Sequence, residues 1–306
     1  MKKFFIIAAC VLIVAGIIVC AVGYASGGFD IKAMKEASTR YEEFDPAGVE
    51  QIFVSETSDD VIFKPSEDGL IHIEYREAKN VTHTSSLENG KLTVRRIKTN
   101  PDAFRFWLTD LFSFVDGRVI VFIPEGLVCS LECKCSSGDI SVSDLELSAL
   151  TLSLSSGDIK VENCSAGAAV ISGTSGDIRV SRLTVDGDLT VTLTSGEISC
   201  SDIVCSGSAA LKATSGDISV SSLTAEGAFN CKVTSGDIDI SSLASPDITV
   251  KNTSGDINLT VLGDEKEYRV SAEASSGDVD APRSSKGDKS LDVKTSSGDI
   301  KVEFID

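Results

Sequence analysis

Along the C-terminal half of the chain, apolar residues alternate with polar ones, and the alternation stops and restarts at a nearly fixed interval. From Ile178 the apolar positions are Ile178, Val180, Leu183, Val185, Leu189, Val191 and Leu193. The next unit gives Ile198, Cys200, Ile203, Cys205, Ala209, Leu211 and Ala213, and the one after it Ile218, Val220, Leu223, Ala225, Phe229, Cys231 and Val233. A period of two puts alternate side chains on one side of a strand, so each unit predicts short, half-buried β-strands. Helical spacing is absent from the repeats.

The breaks have a sequence of their own. Ser-Gly-Asp/Glu-Ile/Val occurs nine times, with its glycines at 138, 157, 176, 196, 216, 236, 255, 277 and 298. The intervals are 19, 19, 20, 20, 20, 19, 22 and 21 residues. A second glycine (Gly187, Gly207, Gly227) marks another turn in each unit. One unit cannot bury its apolar side alone, whereas units stacked at about 4.8 Å bury seven columns against each other. The expected fold is therefore all-β: a parallel β-solenoid of about nine coils over 129–306, with an irregular N-terminal β region or cap over 45–128. A propeller fits less well, because each blade needs about 40 residues and no two-unit alternation is present.

In the N-terminal region, strands are expected at Val49–Ser55, Asp60–Lys64, Leu70–Arg76, Lys91–Ile97 and Arg118–Ile123. Asn89-Gly90 is a hairpin turn, and Ser58-Asp59-Asp60-Val61 reads as a degenerate copy of the repeat turn. Residues 25–44 read as a linker, with a short helix near Ile31–Ala37. Before it, Met1-Lys2-Lys3 leads into an uncharged run from Phe4 to Tyr24. About 20 such residues span a hydrocarbon core of ~30 Å, so 1–24 reads as a cytoplasmic lysine pair plus a single transmembrane anchor. That arrangement puts the bulk of the chain outside the cell membrane. A cleaved signal peptide and a lipoprotein box at Ile7-Ala8-Ala9-Cys10 are the alternatives.

Charge and chemistry narrow the function. A net charge of −18 argues against nucleic acid. The nine cysteines include no C-x-x-C pair, and Cys133, Cys135, Cys164, Cys200, Cys205 and Cys231 fall in apolar columns, where they pack as small hydrophobes. Stacking aligns Asp139, Asp158, Asp177, Glu197, Asp217, Asp237, Asp256, Asp278 and Asp299. Such a column either caps its own turns by hydrogen bonding or forms a divalent-cation ladder, with Ca2+ as the ion. The segment 104–115 concentrates aromatics: Phe104, Trp107 and Phe112 either pack as a short helix over the solenoid end or dock a partner or the membrane. No nucleophile, Walker or zinc-protease motif is present, and the evenly repeated acids lack the unique cluster of a glycosidase.

The Ser-Gly-Asp-Ile turns, the Arg118–Pro124 run and the N-terminal anchor resemble the bacterial β-strand-repeat family of unknown function labelled putative adhesin. The resemblance covers about residues 45–305 and implies an envelope-associated, non-catalytic protein; for such a membrane-held binding module the expected partner is an envelope protein or glycan. A regulatory or stress-response accessory of the envelope is the alternative, and a glycan-active enzyme on a β-helix a third.

Overall fold

A computed structural model describes residues 38–77, 81–98 and 117–305, together with Gly16. The nine turn tetrapeptides stand in vertical register along one corner of a parallel β-solenoid, and every strand joins one continuous hydrogen-bonded sheet. The N-terminal strands are β1 (Ser38–Phe44), β2 (Gln51–Glu56), β3 (Asp60–Ser66), β4 (Ile71–Glu77), β5 (Val81–Glu88), β6 (Lys91–Lys98) and β7 (Arg118–Pro124). The repeats begin with β8 (Cys129–Ser137), β9 (Ile140–Ser143), β10 (Glu146–Ser156), β11 (Ile159–Ala166), β12 (Ala169–Ser175) and β13 (Ile178–Val185). They continue with β14 (Leu189–Ser195), β15 (Ile198–Cys205), β16 (Ala209–Ser215), β17 (Ile218–Val220), β18 (Leu223–Ala225), β19 (Ala228–Ser235) and β20 (Ile238–Ala244). The last are β21 (Asp247–Ser254), β22 (Ile257–Leu262), β23 (Tyr268–Ala274), β24 (Val279–Asp280), β25 (Lys289–Ser297) and β26 (Ile300–Ile305).

Each coil has three straight segments. Taking β12 and β13 as the type, Ala169–Ser175 runs to the Ser-Gly-Asp corner, Ile178–Ser181 leaves it, and the chain bends at Arg182 into Leu183–Val185. Arg182 holds φ +49° at that bend, and Asp144, Asn163 and Asp202 repeat the left-handed conformation at equivalent levels. The bend skips one residue in the register, so the inward set continues on its far side. All seven apolar positions of the unit starting at Ile178 are buried, as are all seven in each of the next two units. All seven described cysteines are buried free thiols within these columns. Burial pushes the Cys133, Cys200 and Cys231 thiols well up, which keeps them protonated and inert.

The order of coils departs from chain order at both ends. The coil of β25 and β26 inserts between that of β21 and β22 and that of β23 and β24. The expected sequential column is thus corrected at its last two positions: Asp256 is followed by Asp299, then Asp278. At the other end, β2 and β3 lie between β8 and β9 on one side and β6 and β7 on the other. This level carries Ser58-Asp59-Asp60, with Val61 opposite Ile140, so the degenerate turn is a true member of the stack. Beyond it, β4 pairs antiparallel with β7, β1 with β4, and β5 with β6 through the expected Asn89-Gly90 turn. These antiparallel strands cover an edge that parallel stacking would leave open. β1 corrects the expected linker: its Ser38–Phe44 stretch is a strand, not a spacer. The anchor at 1–24 and the short helix at Ile31–Ala37 lie outside the described residues. Among the described residues, no helix is long and apolar enough to cross a membrane.

Candidate functional site

The aspartate column forms a side-chain-to-backbone ladder. The N–H of Asp158 donates to Asp139 Oδ1, that of Asp177 to Asp158 Oδ1, and that of Asp139 to Asp60 Oδ1, each at 2.8 Å. The same bond joins Asp237 to Asp217, Asp256 to Asp237, Asp299 to Asp256 and Asp278 to Asp299. Glu197 donates its N–H to Asp177 Oδ1 at 3.0 Å, but its own longer side chain accepts none from Asp217 among the described residues. One oxygen of each laddered carboxylate is therefore already used in the fold. Among the described residues, the column brings no three of its acids together as metal ligands.

The strands that lead into this corner carry a second column on their outward side. In register it runs Arg95, Ser55, Lys134, Ser153, Ser172, Thr192, Lys212, Lys232, Lys251 and Lys294, ending at Glu273. Ten consecutive positions of this column thus hold no acid, in a chain of net charge −18. Four lysines occupy adjacent levels, and like charges one strand step apart repel by roughly 1 kcal/mol per pair at the dielectric of water. Lys294 is relieved by Asp292 at 3.5 Å and Glu273 at 3.6 Å. Lys212, Lys232 and Lys251 are exposed and have no carboxylate partner among the described residues. Beside them the first serine of each turn tetrapeptide, from Ser137 to Ser297, forms an exposed hydroxyl column in the same register.

A third cluster is buried under the cap. Glu56 stands in an inward column opposite Cys135, and its Oε1 accepts the N–H of Thr57 at 2.7 Å and of Ser58 at 3.2 Å. His83 Nε2 lies 2.7 Å from Glu56 Oε2 and 3.6 Å from Asp59 Oδ2. Arg96 Nη1 reaches Glu56 Oε1 at 3.0 Å and Asp59 Oδ1 at 3.3 Å. Tyr75 stacks on His83 with centroids 5.2 Å apart, and the Arg40 guanidinium covers Tyr75 at 4.5 Å. Burial raises the Glu56 carboxyl, but the His83 hydrogen bond, the Thr57 N–H and the charges of His83 and Arg96 outweigh it and bring it down to about 2. For Asp59 burial wins over the pull of Arg96, with repulsion from Glu56 adding to it, and the carboxyl is pushed up to about 6. Glu56, Asp59 and His83 could converge on a metal, their ligand atoms lying within 4.8 Å of one another. The Arg96 cation already bridges the same two carboxylates through their other oxygens, Glu56 Oε1 and Asp59 Oδ1, so the group reads as a closed ion network joining cap to solenoid.

Residues 49–303 match the description Toastrack DUF4097. The chain belongs to the Toastrack DUF4097 family. No curated protein matches it in sequence. Among solved structures, this Toastrack chain is similar to a putative adhesin from Bacteroides fragilis, with 14% identity and a TM-score of 0.42, covering 89% of this chain and 98% of that one. It is also similar to a putative lipid binding protein from Parabacteroides distasonis, with 13% identity and a TM-score of 0.37, covering 88% and 97%. A putative cell adhesion protein from Clostridium sporogenes matches with 10% identity and a TM-score of 0.23, covering 88% and 100%.

Of the site residues expected in the Toastrack chain, the nine acids of the column are brought together on one corner. Phe104, Trp107 and Phe112 lie outside the described residues. Two groupings escaped sequence reasoning. The lysine column is visible only after the strands are aligned, since its last step jumps 43 residues from Lys251 to Lys294. The buried quartet joins residues up to 40 apart with no motif. Its one signal is Glu56, a charge in an otherwise inward column of the Toastrack stack.

Proposed function

We propose that this Toastrack protein is a non-catalytic, adhesin-like binding scaffold of the bacterial envelope, held at the cell membrane by residues 1–24 with its solenoid outside. The observation that supports this most is the acid-free column from Arg95 to Lys294, with its flanking hydroxyls, on one side of a strongly acidic molecule. A long, rigid, parallel sheet presents such a surface without conformational cost, which favours binding an extended partner. The uncharged Phe4–Tyr24 run behind two lysines supports the anchor and its orientation. Non-catalytic function is supported by the buried quartet, whose His83 and Glu56 side chains are 0% and 1% exposed and so out of reach of a substrate.

The test is co-sedimentation of the purified full chain, in detergent, with isolated envelope fragments. Binding should be lost when Thr190 and Thr192 are replaced by Glu, and kept when Ser199 and Ser219, on the next face, are replaced the same way. Sedimentation that is absent, or indifferent to which face carries the new charges, removes the scaffold reading.

A further inference from the structure

The exposed ammonium groups of Lys212, Lys232 and Lys251 repeat at the strand-to-strand step, about 4.8 Å, and Lys294 continues the row. Hydroxyls run parallel to them: Ser215, Ser235, Ser254 and Ser297 stand in the same register. We infer that this strip binds an extended acidic polysaccharide, a polyuronate, lying along the solenoid axis with one carboxylate per sugar ring. The inference rests on the scaffold reading and names its ligand class.

Three features select that chemistry. A linear polymer with a carboxylate on each ring repeats its charges along its axis at a spacing comparable with one strand step, so a row of ammonium groups along the solenoid axis faces a row of carboxylates. The serine row, together with Thr214, Thr234 and Thr253 beside it, supplies donors and acceptors for ring hydroxyls, which a polyphosphate lacks. From Ala210 to Ser254 the single aromatic residue, Phe229, points inward and is buried, so the outward side there offers no platform on which nucleic-acid bases could stack. The rest of the molecule is acidic, but at physiological ionic strength its repulsion is screened beyond about 8 Å, which leaves the direct lysine contacts in control.

The experiment measures binding of the full chain in detergent to polygalacturonate by calorimetry, with neutral galactan and inorganic polyphosphate as comparison polymers. Saturable binding to polygalacturonate is expected, with none to galactan and at least tenfold weaker binding to polyphosphate. The triple variant K212S/K232S/K251S should lose at least tenfold in affinity. The triple Lys→Arg variant should retain binding, and K160S/K301S, on another face, should leave it unchanged. No binding to polygalacturonate, undiminished binding by the Lys→Ser variant, or equal binding to polyphosphate each overturns the inference. If envelope fragments still sediment with the chain in the face-dependent manner described above while polygalacturonate fails, the scaffold reading stands and only the ligand class falls.

Discussion

The Asp139 carboxylate and the Asp158 backbone N–H meet at 2.8 Å across one step of the stack. The two residues are equivalents in successive coils, so the bond stitches level to level at the corner where the chain turns. A hydrogen bond to an ionised acceptor contributes about 1.5–3 kcal/mol, against a neighbour repulsion of roughly 1 kcal/mol at the dielectric of water. The ladder is therefore net stabilising, and its geometry requires the short reach of aspartate. Eight of the nine repeats carry Asp, and the single Glu is where the next bond is missing.

That gap gives a stabilising substitution. Glu197→Asp shortens the side chain by one methylene and lets its carboxylate accept the Asp217 N–H. The charge is unchanged, so repulsion is too, and a gain of about 1 kcal/mol is expected. Thermal melts at neutral pH should show a higher Tm than the parent; an unchanged or lowered Tm means that reach does not control the ladder.

The turn glycines make a sharper contrast. At Gly216, φ is +123° and a Cβ would run into the Gly196 carbonyl oxygen below it. Gly69 has φ +78° with open space around its missing Cβ. Gly216→Ala combines backbone strain with a backbone clash and should cost at least about 3 kcal/mol, whereas Gly69→Ala carries the strain alone and should cost about 1 kcal/mol. Urea unfolding of the two variants compares them directly, and equal losses would contradict the close stacking of the turns.

The parts of this fold that were legible from sequence are those fixed by local chemistry. Ile178, Val180, Leu183 and Val185 announce their inward face by alternation, and the Ser-Gly-Asp turn fixes register because only glycine tolerates both the positive φ and the approach of the coil below. Spatial order was not legible, because Asp278 and Asp299 carry the same turn and either could follow Asp256. The longer intervals, 22 and 21 residues, are the trace left by the swap: a chain that skips one level and returns needs extra length. The quartet was hidden for a different reason. Glu56, His83 and Arg96 meet through the antiparallel pairing of β5 with β6 and the parallel pairing of β6 with β2, and long-range pairings leave no periodicity.

The ladder also decides how the column should respond to metal. Each laddered Asp spends Oδ1 on a backbone N–H, whereas calcium needs six to eight oxygens at one site. Melting the full chain with EDTA and with millimolar calcium should give the same Tm. A calcium-dependent rise of several degrees would show that ions bridge the column and that the backbone bonds are not its main support.

The buried quartet makes stability depend on pH in two opposite ways. Glu56 is lowered from 4.5 to about 2 in the folded state, so its contribution is fully present above the unfolded value and is lost as pH falls through about 2. The shift corresponds to roughly 3 kcal/mol at neutral pH. Asp59 is raised from 3.8 to about 6, so the fold favours its protonated form; that contribution is present below about 4 and is lost as pH rises through 6. Glu56→Gln should therefore destabilise the protein strongly at pH 7. Asp59→Asn keeps an oxygen for Arg96 and removes the buried charge, so it should raise Tm at pH 8 and give no gain at pH 4. Melting curves of both variants between pH 4 and pH 8 separate the two carboxylates, because only Asp59→Asn should show an advantage that grows with pH. If Asp59→Asn instead lowers Tm equally across the range, the aspartate is held ionised by Arg96 and the balance of burial against charge described here is reversed.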